Sequence, residues 1–323
     1  MRSTSWHSPN WQDDVRRVFA ETLQELAGRD SRIVLLTGDL GYTILEGFQK
    51  RFPARFFNVG VAEQNMVGIA TGLAEAGFLP YVYSIAPFAV LRPYEFIRNG
   101  PILHHLPVRI VGVGGGFEYG HNGLSHYALE DIGVLRLQPG IMVICPADRD
   151  QARTSLRATY DVEGPVYYRL SKDESTRIEG LDDRFSVDQI QMLRDGPDLL
   201  IVSMGPVTKT VVGAADELVA RGVRSAVAVV ACVAPAPVHA LAELLAKFRH
   251  VLTVEEHYCT GGLGSLVSEV VAERGLGCRV VRRGVNRAVD GLTGSVDYLR
   301  QVHGLSRDAI VDAALHQLDA RYQ

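Results

Sequence analysis

Two periods alternate along this chain. Short, mostly apolar runs of strand length occur at Ile33–Leu36, Leu79–Tyr83, Val108–Val113, Ile141–Ile144 and Val166–Leu170, the pattern of strands covered on both faces. Between them the apolar residues recur at helical spacing. Val15, Val18, Phe19, Thr22, Leu23 and Leu26 predict a helix over 11–27, with Asp13 and Asp14 in its first turn and Gly28 at its end. Further helices are predicted at Leu45–Arg51, Phe88–Asn99, Leu129–Leu137 and Asp148–Tyr160, and Thr37-Gly38-Asp39 reads as a turn. Residues 172–196 are polar and charged. The alternation then resumes, with strands at Leu199–Ser203, Ser225–Ala231, Val251–Glu255 and Arg279–Arg283 and helices at Val207–Arg221, Pro237–Lys247, Leu263–Arg274 and from Ser306. The expected fold class is α/β: two three-layer α/β/α domains with mostly parallel sheets, spanning 8–175 and 190–323 with the polar stretch as their boundary.

The most informative stretch is 56–77. A strand ending at Val59 turns at Gly60 into a helix of small residues that begins near Glu63 and stops at Gly77, a usual C-terminal cap. Met66, Ile69, Ala70 and Leu73 define its predicted inward face. Gly68 and Gly72 would each cost about 1 kcal/mol against Ala inside an ordinary helix, a cost that close approach of a backbone or flat ligand would offset. Glu63 alone is also explained by the helix dipole.

Composition narrows the classes. A hydrophobic content of 47%, a charged content of 22% and a net charge of −4 describe an ordinary globular chain, and with no long basic run nucleic acid is not an expected partner. Cys145, Cys232, Cys259 and Cys278 show no paired spacing and read as buried or free thiols of a reducing compartment. The N-terminus leads into no apolar stretch of signal-peptide length, and the most apolar segment, Ala226 to Val238, is too short to span a bilayer and is cut by Pro235 and Pro237. A cytoplasmic location with no membrane contact is therefore expected. Gly114-Gly115-Gly116 enters a long loop rather than a strand-to-helix junction, so it does not read as a dinucleotide fingerprint.

Asn58-Val59-Gly60-Val61-Ala62-Glu63-Gln64-Asn65-Met66 resembles the glutamate motif in the pyrimidine-binding domain of transketolases and related thiamine diphosphate enzymes. Gly120-His121-Asn122-Gly123-Leu124-Ser125-His126, Leu129-Glu130-Asp131-Ile132 and Gly164-Pro165-Val166-Tyr167 follow in that family's order. The resemblance covers roughly residues 10–320 and corresponds to a transketolase's C-terminal section. It implies that Glu63 hydrogen-bonds the aminopyrimidine ring, with Phe88 and Ile85 as the wall beside it. Ile85 stands where the family carries a second aromatic. It implies that His126 contacts substrate, so Glu63 and His126 are the catalytic candidates. Arg16 and Thr43 match positions that bind a sugar phosphate, and Lys172 stands where an arginine usually lies. Lysine binds phosphate as a point charge without the bidentate fork. Asn122 replaces an aspartate that reads a sugar hydroxyl, and Gly114 falls near a position often held by histidine. His121 is a candidate to fill the space that Gly114 leaves. Glu255-Glu256-His257 with Gly261-Gly262-Leu263-Gly264 resembles the C-terminal-domain motif that helps build the family's subunit interface, and no third ligand accompanies it for a metal reading.

The Gly-Asp-Gly motif that holds the cofactor's diphosphate and its divalent ion is not found; Thr37-Gly38-Asp39-Leu40-Gly41 lacks the spacing and the asparagines. The chain is thus expected to bind no metal itself and to pair with an N-terminal subunit that carries Mg2+ (or Ca2+) and the diphosphate-binding domain, as a two-plus-two (α2β2) heterotetramer. The implied activity is transfer of a two-carbon ketol unit between a ketose and an aldose, phosphorylated in the leading reading. The beta subunit of a 2-oxoacid dehydrogenase decarboxylase, a deoxyxylulose-phosphate-type synthase fragment and a non-catalytic scaffold subunit are the alternatives.

Overall fold

The computed structural model describes residues 14–172 and 177–319. Asp13 and the outer parts of the two expected domains (8–13, 173–175 and 320–323) lie outside the described residues. The first sheet contains β1 (Ile33–Thr37), β2 (Phe56–Asn58), β3 (Leu79–Ile85), β4 (Arg109–Val113), β5 (Met142–Ile144) and β6 (Val166–Leu170), joined from far along the chain by β10 (Cys232–Ala234). Its order is β10-β5-β6-β4-β3-β1-β2. All neighbours are parallel except β10, which runs antiparallel to β5 with Cys232 opposite Ile144. Strands β1, β3, β4 and β6 are buried along their whole length, as continuous apolar runs require. Helices α1 (Val15–Arg29), α2 (Glu46–Arg51), α3 (Glu63–Glu75), α4 (Ala86–Val90), α5 (Tyr94–Ile97), α6 (Asp131–Arg136) and α7 (Arg149–Thr159) accompany it.

The second sheet contains β7 (Gln191–Arg194), β8 (Leu199–Ser203), β9 (Ser225–Val229), β11 (His250–Tyr258) and β12 (Arg279–Val285) in the order β12-β11-β8-β9-β7. Only β7 is antiparallel. Helices α8 (Thr208–Ala220), α9 (Val238–Leu245), α10 (Leu263–Glu273), α11 (Val296–Val302) and α12 (Arg307–Leu318) complete this half. Both halves are α/β layers around mostly parallel sheets, and one apolar cluster runs through both, from Val34, Met66 and Ile110 to Leu200, Leu241 and Val267.

Four local expectations need correction. The helix expected over Phe88–Asn99 is broken. Pro93, with no N–H to donate, separates α4 from α5, and a π-helical turn over Arg98–Ile102 follows. The run Ser225–Ala231 leaves its sheet at Val229, and Cys232–Ala234 restarts as an edge strand of the other sheet. Strand β7 lies inside the stretch expected to be a linker, where Gln191-Met192-Leu193-Arg194 has too little periodicity to be noticed. On α3, Met66 and Ala70 are buried as expected, but Ile69 is 38% exposed and Val67 and Ala74 face the core instead.

Candidate functional site

The site grows from the carboxyl ends of β1, β2 and β3, the edge where open parallel sheets place their ligands. Asn58 closes β2 and ties two loops together. Its amide oxygen accepts the N–H groups of Asp39 (3.0 Å) and Gly60 (3.1 Å), and its amide nitrogen donates to Asp39 (3.0 Å). The loop after β1 thereby lies against the turn that starts α3. A Cβ at Gly38 would stand 3.4 Å from the Gly60 carbonyl and 3.8 Å from Glu63 Oε1.

Glu63 is 1% exposed. Its Oε1 accepts Ser84 Oγ–H at the end of β3 (3.2 Å), and its two oxygens accept Arg92 Nη1–H at 3.0 and 2.9 Å. The carboxylate itself is buried, and the Arg92 side chain that covers it retains 40% exposure. Arg92 also lies 3.7 Å over the centroid of the Phe88 ring, a cation–π contact. Phe88 in turn presents its ring to His126 in an edge arrangement at 4.9 Å. Ile85, 8% exposed, ends β3 and precedes α4.

His126 sits on a short 3-10 turn, Leu124–His126, with Ser125 Oγ 3.0 Å from its Nδ1. Burial, and after it the neighbouring Arg92 charge, lowers its pKa, so the ring is neutral near pH 7 and able to exchange a proton. Beyond His126 the Tyr119 ring lies at 6.0 Å, and Lys172 Nζ stands 4.0 Å over that ring. The Lys172 N–H is held by Glu118 (2.9 Å), whose carboxyl burial pushes up to about 7. The Lys172 ammonium has its own pKa lowered, chiefly by burial. One continuous line of contacts therefore runs Glu63–Arg92–Phe88–His126–Tyr119–Lys172. Arg16 lies near its far end, forked on Asp14, the N-cap of α1, at 2.6–3.0 Å, and its charge acts on Tyr119.

The remaining candidates lie on exposed turns. Thr43 is exposed, with φ +69 and its N–H bonded to Glu46 (2.7 Å). His121 and Asn122 are exposed on the 3-10 turn Gly120–Asn122. His121 does not fill the space beside Gly114: a Cβ there would lie 2.1 Å from the Tyr119 ring, so Tyr119 takes that place. No sequence motif marks Tyr119 or Arg92. The signal for Arg92 was its position four residues after Phe88; for Tyr119 there was none without the loop conformation.

Glu255-Glu256-His257 lies near the end of β11. All three are at most 5% exposed and bond within this chain. Glu255 accepts the Leu263 and Gly264 N–H groups at the start of α10 (2.7 Å each). Glu256 accepts the Phe117 N–H (2.6 Å) and pairs with Arg300 (2.6 Å). His257 Nε2 accepts the Gly133 N–H (3.1 Å). The motif thus joins the two halves of one chain. Among the described residues no group of three or more His, Cys, Asp or Glu could hold a metal ion.

In this two-unit α/β chain a buried carboxylate, an aromatic ring and an imidazole thus gather at one sheet edge. Residues 12–177 match the transketolase pyrimidine-binding domain family and residues 188–310 the transketolase C-terminal domain family. A putative transketolase C-terminal section of Methanocaldococcus jannaschii is 35% identical over 308 residues, 94% of this chain and 96% of that one. One of the subunits of an apulose-4-phosphate transketolase from Actinobacillus succinogenes is 35% identical, over 83% of this chain and 86% of that one. A solved split-gene transketolase, an inactive beta4 tetramer, superposes with a TM-score of 0.84 at 35% identity, covering 94% of this chain and 98% of that chain. The chain belongs to the transketolase family, as its C-terminal section. Membership implies thiamine diphosphate. The Glu63–Phe88 pair fits the cofactor's ring: a planar, hydrogen-bond-donating group, here the Arg92 guanidinium, already lies between that carboxylate and that aromatic face.

Proposed function

We propose that this chain is the C-terminal subunit of a split transketolase that moves a two-carbon ketol unit from a ketose to an aldose. When bound, thiamine diphosphate supplies the electron sink for breaking and remaking the bond beside the ketose carbonyl. Glu63 holds a proton shared with the aminopyrimidine ring and sets that ring's tautomer, while Phe88 and Ile85 form its apolar wall. His126, neutral and half-buried, exchanges a proton with a substrate oxygen. Lys172 and Arg16 provide the cations that a sugar phosphate requires, and Thr43, His121 and Asn122 form the outer rim for phosphate and hydroxyls.

Mg2+ (or Ca2+) and the diphosphate are assigned to an N-terminal partner chain in an α2β2 heterotetramer. Support comes from the surface around α3, where Val61 is 71%, Ile69 38%, Phe96 44% and Leu103 69% exposed. Exposed large apolar side chains on and beside one helix are candidates for an interaction surface. The four cysteines are unpaired, in keeping with the cytoplasm, and no helix among the described residues is long and apolar enough to cross a membrane.

The buried Glu63 carboxylate between Ser84 and the Phe88 face carries this reading. Mixing the chain with its partner and assaying ketol transfer tests it. Glu63→Gln in the assembled enzyme is expected to lower kcat by about 10²–10⁴; full activity in that variant would favour a scaffold role instead. Turnover of pyruvate but not of xylulose 5-phosphate would assign a 2-oxoacid decarboxylase.

A further inference from the structure

Arg92 makes two contacts at once. Its Nη1 donates to both Glu63 oxygens (3.0 and 2.9 Å), and its guanidinium carbon lies 3.7 Å over the Phe88 centroid. These are the acidic and aromatic surfaces that the ring-binding reading above needs for itself. A separation of 3.7 Å is one van der Waals thickness, so a second flat group cannot enter beside the first. The two partners differ in freedom. Glu63 is fixed on α3 and held by Ser84. Arg92 lies between α4 and Pro93 with 40% of its side chain exposed, which leaves it a path outward. A buried carboxylate without a cation is costly, so an arginine here serves the chain while the ring is elsewhere.

We infer that Arg92 is a positioning residue that occupies the aminopyrimidine place, holds the Glu63 carboxylate in position, and is displaced when the cofactor ring enters. The inference rests on the proposed function. The guanidinium competes with the cofactor, so its loss strengthens cofactor binding. A residue that merely held the fold would weaken binding or leave it unchanged.

The test titrates thiamine diphosphate with Mg2+ into the assembled two-chain enzyme by calorimetry, for the wild type, Arg92→Ala, Arg92→Lys and Glu63→Gln. Arg92→Ala is expected to lower Kd about tenfold, the scale of one charge-assisted hydrogen bond with a cation–π contact. Arg92→Lys, which keeps the charge but loses the flat face, falls between it and the wild type; it decides the matter if the alanine variant does not fold. In the isolated chain, NMR titration of His126 adds a readout independent of turnover. Removing the neighbouring cation is expected to raise the imidazole pKa. Unchanged or weaker cofactor binding in both Arg92 variants, with Glu63→Gln binding clearly weaker than the wild type, overturns this inference alone. Binding that is indifferent to Glu63→Gln as well overturns the reading of the site and the inference with it.

Discussion

At the scale of single residues, an acidic side chain on the first turn of a helix has an ordinary explanation in the dipole. Glu63 begins α3, yet its hydrogen-bond partners are a serine on the neighbouring strand and an arginine beyond the next helix. Lys172 permits a sharper test. Its ammonium stands over Tyr119 with its pKa lowered by burial, so it is a desolvated cation facing the site. Lys172→Ala is expected to raise KM for a phosphorylated substrate about tenfold with little change in kcat, which steady-state kinetics would check. An equal fall in kcat would place the ammonium in the reaction itself. Tyr119 fills the space beside Gly114. Tyr119→Ala is expected to shift the relative kcat/KM of acceptors of different chain length by several-fold, as a pocket enlarged by one ring does; an unchanged ratio would place Tyr119 outside the acceptor path. Glu63 and His126 stand in short motifs that can be read from consecutive residues. Tyr119 and Arg92 are not legible in that way, because their placement depends on how a loop and a broken helix fold back.

At the scale of elements, α3 carries the clearest expectation. Gly68 and Gly72 are both exposed, and a Cβ at Gly72 meets nothing within 4 Å. Gly72→Ala is therefore expected to stabilise the isolated chain by about 1 kcal/mol in urea denaturation. In the mixed complex the same methyl group is expected to weaken assembly, which sedimentation would report. Tighter assembly would show that no neighbouring backbone approaches this helix. The periodicity of α3 identified a helix, but its inward face is turned toward Val67 and Ala74 and away from Ile69. The sheet against which a helix lies selects the face, and apolar residues on the opposite side remain available to a partner.

At the scale of the whole molecule, charged groups buried between the halves tie them together. Glu256 bonds Phe117 and Arg300, and Arg169 reaches the carbonyls of both Ala128 and Glu256. Glu256→Ala is expected to cost about 3–5 kcal/mol, because Arg300 loses its buried partner, and it would be read as a lower denaturation midpoint. Glu118 and Glu255 have their carboxyls raised from the ordinary 4.5 to about 7 by burial. The folded chain then holds protons that the unfolded chain releases between about pH 4.5 and 7. Stability contributed by these groups is present below that window and lost as pH rises through it. His257, lowered by burial, acts in the opposite sense, costing stability as pH falls below its ordinary 6.5. Glu118→Gln is expected to flatten the loss between about pH 5 and 8 in urea denaturation; a variant with the wild-type slope would assign that loss to other groups.

Local sequence was sufficient for the strand–helix alternation, the α/β class, the glutamate motif and the loop histidine. Each is encoded within a short consecutive stretch by periodicity or by a turn, and needs no distant partner to be recognised. Tertiary structure decided the rest: β10 crossing to the first sheet, Glu255-Glu256-His257 joining the halves, Tyr119 over Gly114, and Arg92 between Glu63 and Phe88. Those are meetings of residues far apart in the chain, and which of them occur is settled only when packing brings the sheet edges and their loops together.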